Sequence, residues 1–141
     1  MPVSGTVNTI AVPNLASGKE SGLITVYAGG TYYVSVDGAG SLLIAYFRYC
    51  TAASTTVLRP TILCDGVEAL PMDGTIANWR DYLVGLSHSD IYIAQWDTTN
   101  NYYTLAVALP LKFRRKLQVG FKNGSASDYG AYLHFSYELI K

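Results

Sequence analysis

Charge is scarce in this chain. Only 14% of its 141 residues are charged, against a usual level of about 25%. Ten basic side chains balance ten acidic ones, so no whole-domain field exists to attract nucleic acid or an anionic membrane, and neither is expected as a partner. Cysteine is limited to Cys50 and Cys64. If Ser41–Cys50 and Thr56–Cys64 form a hairpin through the Thr51–Thr55 turn, Cys50 faces Val57 and Cys64 lies roughly seven residues further on, at about 3.3 Å per residue, beyond the reach of a disulfide. Two reduced, structural thiols are expected, behaving as small buried hydrophobes. Long apolar runs are missing as well: the longest, Leu42–Phe47, falls far short of the roughly 18 residues of a membrane-spanning helix. Met1-Pro2-Val3-Ser4-Gly5 lacks the positive flank and apolar core of a signal peptide, which points to synthesis in a cytoplasm without export.

What the chain does have is apolar and aromatic surface. Half of its residues are hydrophobic, twelve are Tyr, and the 13 Gly and five Pro fall mainly between apolar runs, as turn punctuation. At this length residues 1–141 read as a single domain able to bury a core without disulfides or metals. A neutral, charge-poor, Tyr-rich surface suits a subunit whose faces are covered by neighbours better than a free monomer.

The strongest pattern lies between residues 102 and 140. Tyr102–Leu109 alternates and stops at Pro110. Leu117, Val119 and Phe121 alternate with Gln118, Gly120 and Lys122, and after the polar turn Asn123–Asp128 the residues Ala131, Leu133, Phe135, Tyr137 and Leu139 alternate with polar partners. Period-two alternation is what a strand with one buried face requires, and the segment reads as three consecutive antiparallel strands. Upstream, Thr6–Val12 alternates loosely. Leu23–Ala28 and Thr31–Val36 flank a Gly29-Gly30 hairpin signal. Ser41–Cys50 is apolar on both sides, with Leu43, Ala45, Phe47 and Tyr49 on one and Leu42, Ile44 and Tyr46 on the other, so one side is covered by another layer or by a partner. Pro60 marks Val57–Cys64 as an edge or a bend. One helix is expected over Thr75–Val84, capped by Asp73 or Thr75 and ended by Gly85. Ile91–Trp96 returns to strand. Eight to ten evenly spaced strands make an all-β, antiparallel β-sandwich, jelly-roll-like, with one short helix.

Few residues carry chemistry. His88 and Asp90 have a spacing that suits one metal, but His134 is the sole other imidazole and lies far away, so too few ligands are in view. No catalytic pairing and no phosphate loop is signalled, and no cofactor is expected. Asp37, Asp65, Asp73, Asp97 and Asp128 sit in turns, where Asp serves backbone geometry. Trp79 and Trp96 would form a sugar platform if they line one concave surface; each Tyr32-Tyr33 and Tyr102-Tyr103 pair sends one ring in and one out. The densest charge is Lys112-Phe113-Arg114-Arg115-Lys116. It reads as a solvated corner with Phe113 turned into the core, or as a contact for an acidic protein surface.

The stretch Ala108–Asn123, in which a strand ends in Pro and an aromatic, a basic corner follows, and an alternating strand runs to Asn, resembles small jelly-roll structural proteins of tailed bacteriophages, among them capsid decoration (auxiliary) proteins and fibre heads. The resemblance covers the last quarter of the chain, and Lys112, Arg114 and Arg115 match its corner. It implies a non-enzymatic virion subunit, made in the host cytoplasm, that contacts its own copies as a trimer and a major capsid protein. The expected contacts are Lys112, Arg114, Arg115 and Lys116 together with Ile44 and Tyr46. The alternative is a carbohydrate- or receptor-binding module using Trp79 and Trp96, and burial of those two rings discriminates the readings.

Overall fold

Alternation decides which side of each strand is buried, and here it builds two facing sheets. The computed structural model describes residues 15–84 and 90–140; the expected Thr6–Val12 strand, the Gly85 helix stop and His88 lie outside the described residues. In chain order the elements are β1 (Leu15–Val26), β2 (Thr31–Asp37), β3 (Ala39–Tyr49), β4 (Leu58–Cys64), β5 (Val67–Glu68), α1 (Ile76–Leu83), β6 (Ile91–Asp97), β7 (Tyr102–Val107), β8 (Leu111–Phe113), β9 (Lys116–Asn123) and β10 (Tyr129–Ile140). A six-stranded sheet runs β1-β10-β3-β7-β6, with β8 also on β3, and a four-stranded sheet runs β2-β9-β4-β5. Every strand pairing is antiparallel. The first strand pairs with the last and the second with the last but one, the nested order of a jelly roll. The fold is an all-β sandwich with one short helix, as the alternation predicts.

The core is the interleaved inner sides of both sheets. Leu42, Ala45, Phe47, Tyr49, Leu105, Val107, Leu133 and Phe135 come from the larger sheet, and Leu58, Ile62, Leu117, Val119 and Phe121 from the smaller; all are buried. Phe121 meets Phe47 and Tyr49 edge-on, each at 5.4 Å between ring centroids, which locks the two layers together. Tyr49 is fully buried yet satisfied, because its hydroxyl donates to the Leu58 carbonyl across the layers at 2.8 Å. Gly120 is required by a close approach: a Cβ there would overlap the Tyr32 carbonyl of the neighbouring strand.

Within the described residues the expected strands form, but their neighbours differ from the sequence reading. Tyr102–Leu109, Leu117–Lys122 and Ala131–Leu139 do not form one consecutive ladder, since β7 and β10 belong to one sheet and β9 to the other. Gly29-Gly30 is a corner between sheets, with Gly29 at φ 69° and the Gly30 amide donating to Tyr27, not a hairpin joining paired strands. Ser41–Cys50 and Thr56–Cys64 likewise cross between sheets, through a 3-10 turn at Ala53–Thr56. Cys50 and Cys64 are nonetheless free and half-buried, and burial pushes both thiols above their ordinary range. In each case a local turn signal fixes the bend and leaves open which sheet the next strand joins.

Two bulges refine the faces. The β10–β3 register slips between Ser136 and Tyr137, so Ile44 pairs Ser136 while Leu42 pairs Tyr137. Leu43 is left over, turns outward and is 38% exposed, while Leu42 enters the core, reversing the expected sides at that point. Tyr137 sits at the slip and is half-buried, less than its alternation implies. Pro60 lies on the length of β4 that only β9 borders, since β5 reaches only Leu63 and Cys64; the edge reading holds.

Helix α1 starts where the capping signal places it. The Thr75 hydroxyl accepts from the Asn78 amide at 3.3 Å while the Asn78 side chain accepts from the Thr75 amide at 3.0 Å, a reciprocal box. Ile76 and Trp79 face the core.

Candidate functional site

The two outward faces of the sandwich differ in chemistry. On the smaller sheet, Lys122 on β9 pairs with Glu68 at 2.9 Å and Asp73 at 3.3 Å, and Arg59 on β4 pairs with Asp73 at 3.4 Å. The hydrogen bond to Glu68, and then the Asp73 charge, hold the Lys122 ammonium above its usual range. These charges are satisfied within the chain.

On the larger sheet the centre of the outward face is largely aromatic and aliphatic around the cation Arg48, with Glu138 and Lys112 flanking Ser41 at its far end. Register sets Ile44, Tyr46 and Arg48 of β3 beside Ser136, His134 and Tyr132 of β10. Ile44 and Tyr46 are half-buried by these neighbours, and among the described residues no further layer lies over them. Of the Tyr102-Tyr103 pair, Tyr103 is 2% exposed in the core and Tyr102 is 40% exposed on this face, as alternation requires.

Arg48 is the centre of the face. Its guanidinium carbon lies 4.3 Å from the Tyr102 ring centroid and 4.9 Å from that of Tyr132, rings delivered by the strands on either side of β3. Tyr132 in turn stacks parallel to His134 at 6.3 Å. The stacking holds the guanidinium in place, while its Nε is out of contact with solvent and has no hydrogen-bond partner among the described residues. No carboxylate pairs with it there. Around it opens a depression of about 420 Å³, walled by Leu23, Tyr102 and Tyr132 and rimmed by Cys50, Asn100 and Asn101. The rim turn is built by Asp97, whose carboxylate accepts from the Asn100 side chain at 2.8 Å and from the Asn100 and Thr99 amides, and these bonds, the Asn100 side chain first, hold its carboxyl below the usual range. Asn101 follows at φ 58°, a left-handed position that suits Asn.

Sequence reading placed Tyr46 and Ile44 on this face but missed Arg48. The available signal was a single Arg within the apolar run Leu42–Tyr49, on the same parity as Ile44 and Tyr46. Its partners come from residues 102 and 132, and no local pattern links those three positions.

The basic corner is a built turn. Lys112, Arg114, Arg115 and Lys116 are all exposed, and Phe113 is buried at 3% exposure. The turn is organised from the β4–β5 turn beside the start of β9: the Asp65 carboxylate accepts from the amides of Arg114 at 2.9 Å, Arg115 at 2.7 Å and Lys116 at 3.0 Å. Those three backbone hydrogen bonds hold the Asp65 carboxyl below its ordinary range. Asp128 plays the same part at the next corner, accepting from the Ala28 amide. The four cations remain outside every ion pair found among the described residues. The corner begins at the border of the Ile44/Tyr46 face, since Lys112 on β8 pairs with Ser41 on β3, while Arg114, Arg115 and Lys116 follow in the turn that leads into the smaller sheet.

The Trp79–Trp96 sugar platform is not formed. Trp79 is fully buried on the inner face of α1, and Trp96 is half-buried with the Arg80 guanidinium 4.2 Å over its ring and Tyr103 edge-on at 4.9 Å. Neither ring offers a free face on a shared concave surface, because helical periodicity turned Trp79 inward. Asp90 is exposed, and no group of three or more His, Cys, Asp or Glu side chains converges among the described residues. No described helix is long and apolar enough to cross a membrane.

No family model matches the sequence, and no curated protein matches it. Among solved structures, the chain is similar to an exo-β-1,3-galactanase from Phanerochaete chrysosporium, solved with galactose, at 10% identity and a TM-score of 0.36. The alignment covers 96% of this chain and 30% of that enzyme.

Proposed function

We propose that the chain is a non-enzymatic structural subunit of a virion, a capsid decoration protein that assembles with its own copies as a trimer and binds a capsid shell. The observation that carries this reading is the outer face of the larger sheet, where Ile44, Tyr46, Arg48, Tyr102 and Tyr132 lie under no further layer of the described chain. Tyr and Arg are the side chains that protein interfaces concentrate, and Tyr46, Arg48, Tyr102 and Tyr132 supply them at the centre of this face. A low charge content in the chain as a whole points the same way. A subunit that binds only the assembled lattice stabilises it by mass action, with no chemistry required. The exposed corner at Lys112, Arg114, Arg115 and Lys116 adds orientation and association rate against an acidic protein surface, since exposed charges contribute little affinity each.

The test is native mass together with capture on empty capsids. A trimer whose association slows with salt, and slows further in Arg114→Gln/Arg115→Gln with folding unchanged, is the expected result. A monomer that ignores capsids removes the reading.

A second reading, a carbohydrate- or receptor-binding module, is supported by one separate observation: the depression around Arg48, with Asn amides on its rim, has the size and mixed polarity of a small-ligand site.

A further inference from the structure

We infer that the depression around Arg48 takes a saccharide bearing a carboxylate, a uronic or sialic acid residue, with the guanidinium receiving the acid group. The inference deepens the second reading by naming its ligand class.

The argument starts from what Arg48 lacks. Arginine in a folded chain normally finds a carboxylate, a carbonyl or open water. Here the guanidinium is covered by the rings of Tyr102 and Tyr132 at 4.3 and 4.9 Å, its Nε is shut off from solvent without a partner, and no acid of the described residues reaches it. Ring stacking engages the π faces of a guanidinium and leaves its in-plane N–H groups unused. Those donors form a fork that matches a carboxylate in two parallel bonds. The site is therefore set up for a planar oxyanion and has none among the described residues.

Size and rim then separate a sugar acid from a simple one. A lone carboxylate occupies a small part of about 420 Å³, a volume within the roughly 300–1,000 Å³ of small-molecule sites. The remaining space is bordered by the two amides that the Asp97 turn presents. Asn100 gives its side-chain N–H to Asp97, and its side-chain oxygen has no hydrogen bond among the described residues. Asn101 accepts from the Tyr103 hydroxyl at 3.4 Å, which leaves its side-chain N–H groups uncommitted there. One acceptor and one donor beside an apolar wall at Leu23 and the edges of two Tyr rings match the hydroxyls and the C–H face of a pyranose. A neutral sugar would leave the guanidinium edge unpaired, and an acidic side chain of a protein would leave the amides unpaired.

The experiment is an NMR titration of the full chain with a glucuronate-terminated disaccharide and its glucose-terminated counterpart, which differ only in the carboxylate, with sodium acetate as a third arm. The expected result is saturable binding of the acidic disaccharide, with shifts in the Tyr102 and Tyr132 ring signals, and on the order of tenfold or more weaker binding of the neutral sugar and of acetate. Arg48→Gln should abolish the preference. Arg48→Lys, which retains the charge and loses the fork, should weaken acidic-sugar binding about tenfold or more, and its melting curve reports that the fold survives. Equal binding of the two disaccharides overturns the inference and leaves the sugar-binding reading standing. Acetate binding as tightly as the acidic sugar overturns it in favour of carboxylates of any source. Binding of neither sugar overturns both.

Discussion

The carboxylate of Asp65, at the end of β4, holds the backbone of Arg115, just before the neighbouring strand β9, at 2.7 Å and across fifty positions of sequence. An acidic residue thus shapes the most basic segment of the chain, through its amides and not through its charged side chains. The corner's geometry and its charge are separable. Removing Asp65 should disturb the turn while leaving all four cations in place, and removing Arg114 and Arg115 side chains should leave the turn standing.

Asp65→Ala should lower the thermal unfolding midpoint at neutral pH. The pH dependence has a defined sign. Because the folded carboxyl lies below the ordinary aspartate value of 3.8, its contribution is complete above that value and is lost as pH falls through the lower, folded-state value. Unfolding midpoints of the native chain and Asp65→Ala should therefore converge on acidification. Parallel curves down to strongly acid pH would mean that the three amide bonds contribute nothing.

Phe121→Ala removes the ring that meets Phe47 and Tyr49 between the layers. A fully buried Phe replaced by Ala costs about 3–5 kcal/mol, measurable as a fall in the urea midpoint. Phe135→Ala, near-fully buried on β10, should fall in the same range of about 3–5 kcal/mol. Exposed Leu43 offers the contrast, and Leu43→Ala should change stability by well under about 1 kcal/mol.

Asn123 is 2% exposed and ties a corner with both ends of its amide: the N–H groups donate to the Val26 and Ser127 carbonyls and the oxygen accepts from Ser125. Asn123→Ala strands those partners, at a cost of about 1–3 kcal/mol for each group left without water. Asn123→Asp should be nearly as harmful, since a carboxylate cannot donate to either carbonyl. Equilibrium denaturation of the two variants checks both statements.

Thr75→Ala removes the side-chain half of the capping box at α1 and should destabilise the chain by about 1 kcal/mol, within a range of about 0.5–2. Thr75→Ser, which keeps the acceptor, should recover most of it. Far-ultraviolet circular dichroism is dominated by the strands, so chemical denaturation is the appropriate readout.

Strand identity was legible because alternation is local: Leu117, Val119 and Phe121 announce an inward face within a few residues, and Thr75 announces a helix start in the same way. Partnership was not. A jelly roll sends consecutive strands to opposite sheets, so the neighbour of β9 is β2 and not β10, and nothing near Gly29-Gly30 or Thr51–Thr55 encodes that choice. The first half of β1 carries Gly, Ser, Lys and Glu, which hides it from any hydrophobic pattern although its backbone pairs with β10. The Arg48 site was illegible for the same reason, since it exists only once β3, β7 and β10 are side by side. Trp79 shows two local signals in competition: residue type offered a ligand as the alternative, helical spacing offered the core, and the ring is buried.

The nested pairing has a consequence for how the molecule comes into being. Strand β10 is inserted between β1 and β3, so Val26 waits for Tyr129 and Tyr49 waits for Ala131. As the chain leaves the ribosome, β1 and β3 have an empty lane between them and exposed ladder edges until β10 arrives. Loops this long close slowly, and unpaired edges invite other chains. The larger sheet thus closes only once β10 has been made, and removing β10 would leave a split sheet in place of a slightly smaller one.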